Sequence, residues 1–374
     1  MAPDPNAVSG TAAKYAPLMV LHAKEKLWPC SVEWFISRSS LGWATGTGLD
    51  ASVPGVGDRI EAARLGAAST NPYSVDGIPA SQLTRPLDDN PARGTSPPGA
   101  QGFFLRLLEE TFVRGDRATS PDGSSYSGVP CCWDYDEDAK ALTYWFFYAG
   151  SAPPLGLLRL TEQIGLKAAR DAGGVPADET PPRELEAAAA AAYLAEFREA
   201  YPGLAAEVEP PLPPGGTKGF PDFVRTLGTA AEGIKALLRD DDVLHEGDWE
   251  RMTVYLDKTD PFGAAPESIA FYRHSTNTFR KWDGVEKADG THAVGYAAIG
   301  SHATLPTPGF GHIDVGDPDG PRWRTWEDLV PIVEQPWYGF GGAWGRVGKV
   351  RDSTGPLGPG AHWKHAAPRP ARPD

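Results

Sequence analysis

His245-Glu246-Gly247-Asp248-Trp249-Glu250-Arg251-Met252-Thr253-Val254-Tyr255-Leu256 joins the densest chemistry in the chain to one of its clearest strands. The second half, with its Thr, Val and Tyr, reads as a β-strand. If that strand begins near Asp248, then Asp248 and Glu250 leave from one face, because side chains alternate with period two. Glu246 falls outside this pair. Gly247 is free to turn the chain, which lets His245 approach from a loop. An imidazole and two strand-borne carboxylates make a mixed nitrogen and oxygen metal site, an acid–base cluster, or a solvated acidic turn ahead of a strand.

Further strands are expected at residues 18–22, at 31–36 after the breaker Pro29, at 268–272 and at 293–299. The aromatic run 143–148 reads as a strand buried on both faces. Residues 103–113 have the apolar spacing of a short helix, and 326–333 read as another. Between the aromatic strand and the acidic motif, residues 155–240 carry helical propensity and form a helical insertion. Residues 45–100 are rich in Gly, Pro, Ser and Asn and read as long loops. Residues 1–14 read as a flexible leader and 366–374 as a tail. Strands spaced by turns, with helices gathered mostly in one insertion, imply a mainly β fold: an antiparallel β-sandwich with a helical insertion, one domain over 15–365.

The 374 residues suffice for a large core, and the net charge of −14 argues against a nucleic-acid or anionic-membrane partner. The N-terminus lacks a basic start and an apolar run, so no secretory signal is read there. No apolar stretch reaches the roughly 18 residues of a transmembrane segment. Cys30, Cys131 and Cys132 are too few for a disulfide framework or a thiolate zinc site, and the adjacent pair reads as two buried thiols. Cytoplasmic residence follows as the simplest reading, and the Ala-, Gly- and Pro-rich composition suits a GC-rich bacterial genome.

His274 and His302 each follow a predicted strand, which places them on a loop-lined rim with the acidic motif. Each is a candidate further ligand or general base. Carboxylate oxygens with one or two imidazoles suit Mg, Ca or Mn, and more imidazoles favour Fe, Zn or Ni. His22 also follows a strand, with Glu25 near it. Asp240-Asp241-Asp242 reads as a helix end and solvated turn, with Asp242 a possible helper at a metal. Ser301 and His302 are adjacent, so on a strand they face opposite ways. No phosphate-binding loop, dinucleotide fingerprint or nucleophile elbow is present.

Several blocks in order resemble the vacuolar protein sorting-associated protein 62 family. They are Tyr15-Ala16-Pro17 through His22, Glu25-Lys26, Pro29 and Ser31-Val32-Glu33-Trp34-Phe35; the aromatic run 143–148; and His245-Glu246-Gly247-Asp248-Trp249-Glu250. His274-Ser275, Gly300-Ser301-His302-Ala303, residues 323–326, 342–345 and the Gly-Pro repeats of 355–359 resemble its later blocks. A more distant similarity is to the necrosis- and ethylene-inducing cytolysins, whose motif ends His-x-His-Asp-Trp-Glu. That resemblance implies a β-sandwich with a divalent cation held by His245, Asp248 and Glu250. Gly247 stands where the cytolysin motif has its second His.

The expected function is a divalent-metal-dependent intracellular enzyme, a hydrolase or a lyase/cyclase, acting on a small or lipid-like molecule. His245, Asp248 and Glu250 would hold the ion, with His274 or His302 as general base. Trp145, Phe147 and Trp249 would line an apolar pocket or pack the core. The alternative is a metal-dependent protein that binds a sugar or lipid headgroup without catalysis.

Overall fold

The computed structural model describes residues 3–45, 48–49, 102–117, 125–126, 128–152, 245–273, 276–311, 314–340, 342–346 and 355–359. The described residues are mainly β. Two α-helices stand near the N-terminus, α1 (Pro5–Tyr15) and α2 (Val32–Ser37). The first strands are β1 (Leu18–Val20), β2 (Ser39–Thr45), β3 (Gly48–Leu49), β4 (Gly102–Leu107) and β5 (Ser125–Tyr126). Then come β6 (Cys131–Asp136), β7 (Ala141–Ser151), β8 (His245–Tyr255), β9 (Ser268–Arg273) and β10 (Thr276–Lys281). The C-terminal part adds β11 (Lys287–Ala288), β12 (His292–Ala297), β13 (Thr304–Leu305), β14 (Gly309–Gly311), β15 (Asp314–Gly316), β16 (Arg322–Arg324) and β17 (Leu329–Pro331).

One sheet runs in the order β10-β9-β8-β7-β6-β17, and a second in the order β11-β12-β1-β16-β5 with β13 on β12. Smaller sheets join β3-β2-β4 and β14-β15. The central pair β7–β8 is antiparallel, with Tyr144 opposite Met252, Phe146 opposite Glu250 and Tyr148 opposite Asp248. Every residue of β7 is buried, as expected of a strand covered on both faces. Tyr144, Phe146, Tyr148, Met252 and Val254 meet Met19, Tyr126, Ala293 and Trp323 of the second sheet in one core cluster. Each such large side chain contributes about 1.5–3 kcal/mol of transfer free energy. The buried Thr143 and Thr253 hydroxyls satisfy one another across β7 and β8 at 3.0 Å.

The pairing is not wholly antiparallel: β1–β12, β16–β5 and β17–β6 are parallel. These partners are far apart in sequence, so no hairpin constrains their direction.

Where a flexible leader is expected, Pro5–Tyr15 form α1. Asp4 caps α1 by accepting from the Asn6 amide at 2.9 Å, and Pro5 opens the helix. Val8, Thr11, Ala12 and Tyr15 then bury one helical face. The expected strand at 31–36 is α2, because Ser31 accepts from the Trp34 amide at 3.0 Å and Glu33 sits in the first turn. A three-residue capping geometry has overridden the β propensity of Val32, Trp34 and Phe35. The expected helix at 103–113 is β4 followed by a 3₁₀ turn, Glu110–Arg114. The expected helix at 326–333 resolves into the 3₁₀ turns Thr325–Glu327 and Ile332–Glu334 flanking β17. The insertion 155–240, the tail 366–374 and nearly all of 45–100 lie outside the described residues. All three cysteines are free and buried. Among the described residues, no helix is long and apolar enough to cross a membrane.

Candidate functional site

β8 begins at His245, three residues earlier than expected, so the whole acidic motif lies within it. Trp249 packs against Phe147 at 4.6 Å, Trp344 at 5.5 Å and Trp337 at 5.6 Å, measured between ring centroids. Asp248 and Glu250 continue the row of Met252 and Val254, opposite Tyr148 and Phe146. Both carboxylates are buried at the end of the core-facing row. The same-face pairing read from strand parity therefore holds.

Gly247 interrupts the strand geometry with φ +64. A Cβ there would stand 1.7 Å from the Trp344 carbonyl oxygen, so the position requires glycine for its conformation and for its space. Glu246 is occupied elsewhere: its Oε2 accepts from the Leu107 and Arg346 amides, each at 3.1 Å. That carboxylate ties β8 to β4 and to the C-terminal segment.

His245 is buried, and its Nδ1 lies 2.6 Å from the Gly247 carbonyl oxygen. A carbonyl only accepts, so Nδ1 carries the proton and donates. In the neutral ring Nε2 then holds the lone pair. His302 differs. Its Nδ1 donates to Asp248 Oδ2 at 2.9 Å, and its Nε2 donates to the Leu27 carbonyl at 2.9 Å. Acceptors on both sides suit a doubly protonated ring, with both nitrogens engaged. Glu25 Oε2, 3.7 Å from Nε2, adds a second carboxylate. Complete burial works against the charge, but the Asp248 hydrogen bond and the attraction of Glu25 outweigh it and hold the imidazole above its ordinary pKa. The Tyr148 ring lies flat on the imidazolium, 3.8 Å between centroids and 4° from parallel. His302 has φ +56, and its amide donates to the Ala298 carbonyl at 3.0 Å in the turn after β12.

Glu25 and Tyr148 are the members of this cluster that sequence reasoning did not assign. Glu25 Oε1 accepts from the Lys26 and Leu27 amides at 2.7 and 2.8 Å, and Oε2 accepts from the Gly300 amide at 2.7 Å. It thereby joins the loop after β1 to the turn that carries His302. The Tyr148 hydroxyl is buried and has no hydrogen-bond partner among the described residues. Its burial, with Glu250, Asp248 and Glu25 close by, pushes the phenol well above its usual range.

The remaining candidates are placed as follows. His22 accepts from the Lys24 amide at 3.0 Å and faces Asp317 at 4.0 Å, with burial lowering its pKa. His274 and Asp240 to Asp242 lie outside the described residues. Among the described residues, no group of three His, Cys, Asp or Glu side chains is arranged to hold a metal ion by itself. No family model, curated protein or solved structure matches the chain.

Proposed function

We propose that the protein is a divalent-cation-dependent enzyme, of hydrolase or lyase/cyclase type, acting on a small or lipid-like molecule at the start of β8. One observation supports this reading above the others. His245 donates Nδ1–H to a backbone carbonyl, which fixes the tautomer with a bare Nε2. Ligating imidazoles are characteristically held in this way. Asp248 and Glu250, on one face of β8, are the nearest carboxylates in sequence after Glu246, whose Oε2 holds two backbone amides, and His302 orients Asp248 through a single oxygen. Mg²⁺ keeps several waters and binds through one or two carboxylates, which Asp248 and Glu250 would supply, with Mn²⁺ or Ca²⁺ as relatives. Such an ion supplies Lewis acidity toward a carbonyl or phosphoryl oxygen, or toward water. In this proposal the two sheets form a β-sandwich, since one core draws on both. The three unpaired cysteines suit the cytoplasm.

The double donation of His302 favours a second reading, in which the cation binds a sugar or lipid headgroup and no reaction follows. In this second reading His302, with both ring nitrogens engaged, orients Asp248 rather than acting as a general base.

Elemental analysis tests the shared premise. Purified protein should carry a divalent cation, and Asp248→Asn and Glu250→Gln should lose it while remaining folded. Metal content unchanged in both variants would overturn the proposal. Chromogenic ester and phosphoester substrates, assayed with and without EDTA, then separate the readings. EDTA-sensitive turnover supports the enzyme; EDTA-sensitive retention of a sugar or headgroup without turnover supports the binder.

A further inference from the structure

Tyr144, Phe146 and Tyr148 share one face of β7 and one core. The Tyr144 hydroxyl donates to the Ala12 carbonyl at 2.8 Å. Phe146 shows that a ring without a hydroxyl packs in the same row. Tyr148 has the hydroxyl but no acceptor for it among the described residues. Burying a donor without a partner is unfavourable, and Phe would avoid the penalty. The groups around it do not answer the need. His302, stacked on the ring, only donates, and both Glu25 oxygens already receive backbone amides. The strand partner of Tyr148 is Asp248, whose Oδ2 is taken by His302. An isolated anion is disfavoured beside Asp248, Glu25 and Glu250, so the acceptor that fits here is a neutral oxygen or one whose charge a bound cation offsets.

We propose that the Tyr148 hydroxyl is a ligand-orienting donor, reserved for an oxygen (of water, a carbonyl or a phosphoryl group) borne by a divalent cation at Asp248 and Glu250. The inference rests on the cation reading above and adds to it the residue that fixes the orientation of the oxygen.

The test uses the full chain with Mn²⁺ alone as probe. Tyr148→Phe removes no hydrogen bond to protein, so the unfolding midpoint of the cation-free protein should be unchanged or raised. Its Mn²⁺ dissociation constant, by calorimetry or electron paramagnetic resonance, should weaken about three- to tenfold, the value of one hydrogen bond. Asp248→Asn serves as the reference for lost binding. If Asp248→Asn loses Mn²⁺ but Tyr148→Phe binds it as tightly as the parent, the role of Tyr148 is refuted and the cation reading stands. A clear drop in cation-free stability for Tyr148→Phe also refutes it, since the hydroxyl would then serve the fold. Parental Mn²⁺ affinity in Asp248→Asn overturns both.

Discussion

Replacing Gly247 by Ala sets two structural demands against each other at the centre of the acidic motif. The backbone there is left-handed, φ +64, which costs an L-residue about 1–2 kcal/mol. The added methyl would also meet the Trp344 carbonyl oxygen at 1.7 Å, its carbon at 2.8 Å and the Trp344 Cβ at 3.2 Å. Trp344 has little freedom to retreat. Its amide donates to the Pro356 carbonyl at 2.8 Å, and the adjacent Ala343 carbonyl accepts from Leu105 at 2.9 Å. Its ring is wedged among Trp249, Trp337, Phe147 and Phe340. Overpacking of a constrained site adds about 1–3 kcal/mol. The expected total is about 2–5 kcal/mol, a large share of the roughly 5–15 kcal/mol that holds a typical protein folded. Gly290→Ala is the control: its φ is +79, but a Cβ there meets nothing within 4 Å, so only the conformational cost applies. Urea unfolding followed by tryptophan fluorescence measures both. If Gly247→Ala loses no more stability than Gly290→Ala, the steric argument fails.

Two further outcomes are expected. His302 has a raised folded-state pKa, so its stabilisation is complete below the unfolded value near 6.5 and is lost as pH rises through the folded one. His302→Gln should flatten the alkaline side of the stability profile and cost about 3 kcal/mol at pH 6, because Asp248 and Glu25 lose their buried cation; an unaltered profile, measured as unfolding midpoint against pH, would contradict the imidazolium assignment. Burial pushes the thiols of Cys30, Cys131 and Cys132 up, so none should react with an aromatic disulfide reagent until the protein unfolds. A thiol modified in the native state at the rate of a free one would show that the core opens locally.

The central strands were legible because β7, β8, β9 and β12 carry their own apolar and β-branched signal. Parity within β8 then sufficed to pair Asp248 with Glu250, and position after β12 sufficed to bring His302 toward them. Two of the misread elements share a cause: a local capping contact decided each. Ser31 capping Trp34 turned 31–36 into a helix, and Asp4 with a buried face of four residues made a helix of the supposed leader. The protonation of His302 was hidden for a different reason. Its acceptors, Leu27 and Asp248, come from segments 275 and 54 residues away, and no local pattern announces them. Glu25 likewise has its meaning only beside Gly300, and Tyr148 looks like one more core aromatic until its hydroxyl is traced.

The ladder between β7 and β8 has a last rung in which Ser151 faces His245. Ser151 and His245 are thus neighbours in the sheet, joined by a long stretch of chain whose two ends lie at adjacent points. The entropy of closing an excursion grows only with the logarithm of its length, about 0.6 kcal/mol for each doubling. The rungs from Ala141 opposite Tyr255 onward are indifferent to how long it is. This makes the joint a natural cassette boundary, where segments of very different length can be exchanged without disturbing the register of the sheet. Because His245 is the first residue back, any replacement would begin and end beside the buried carboxylates, and the same site could be given new surroundings by grafting at a single junction.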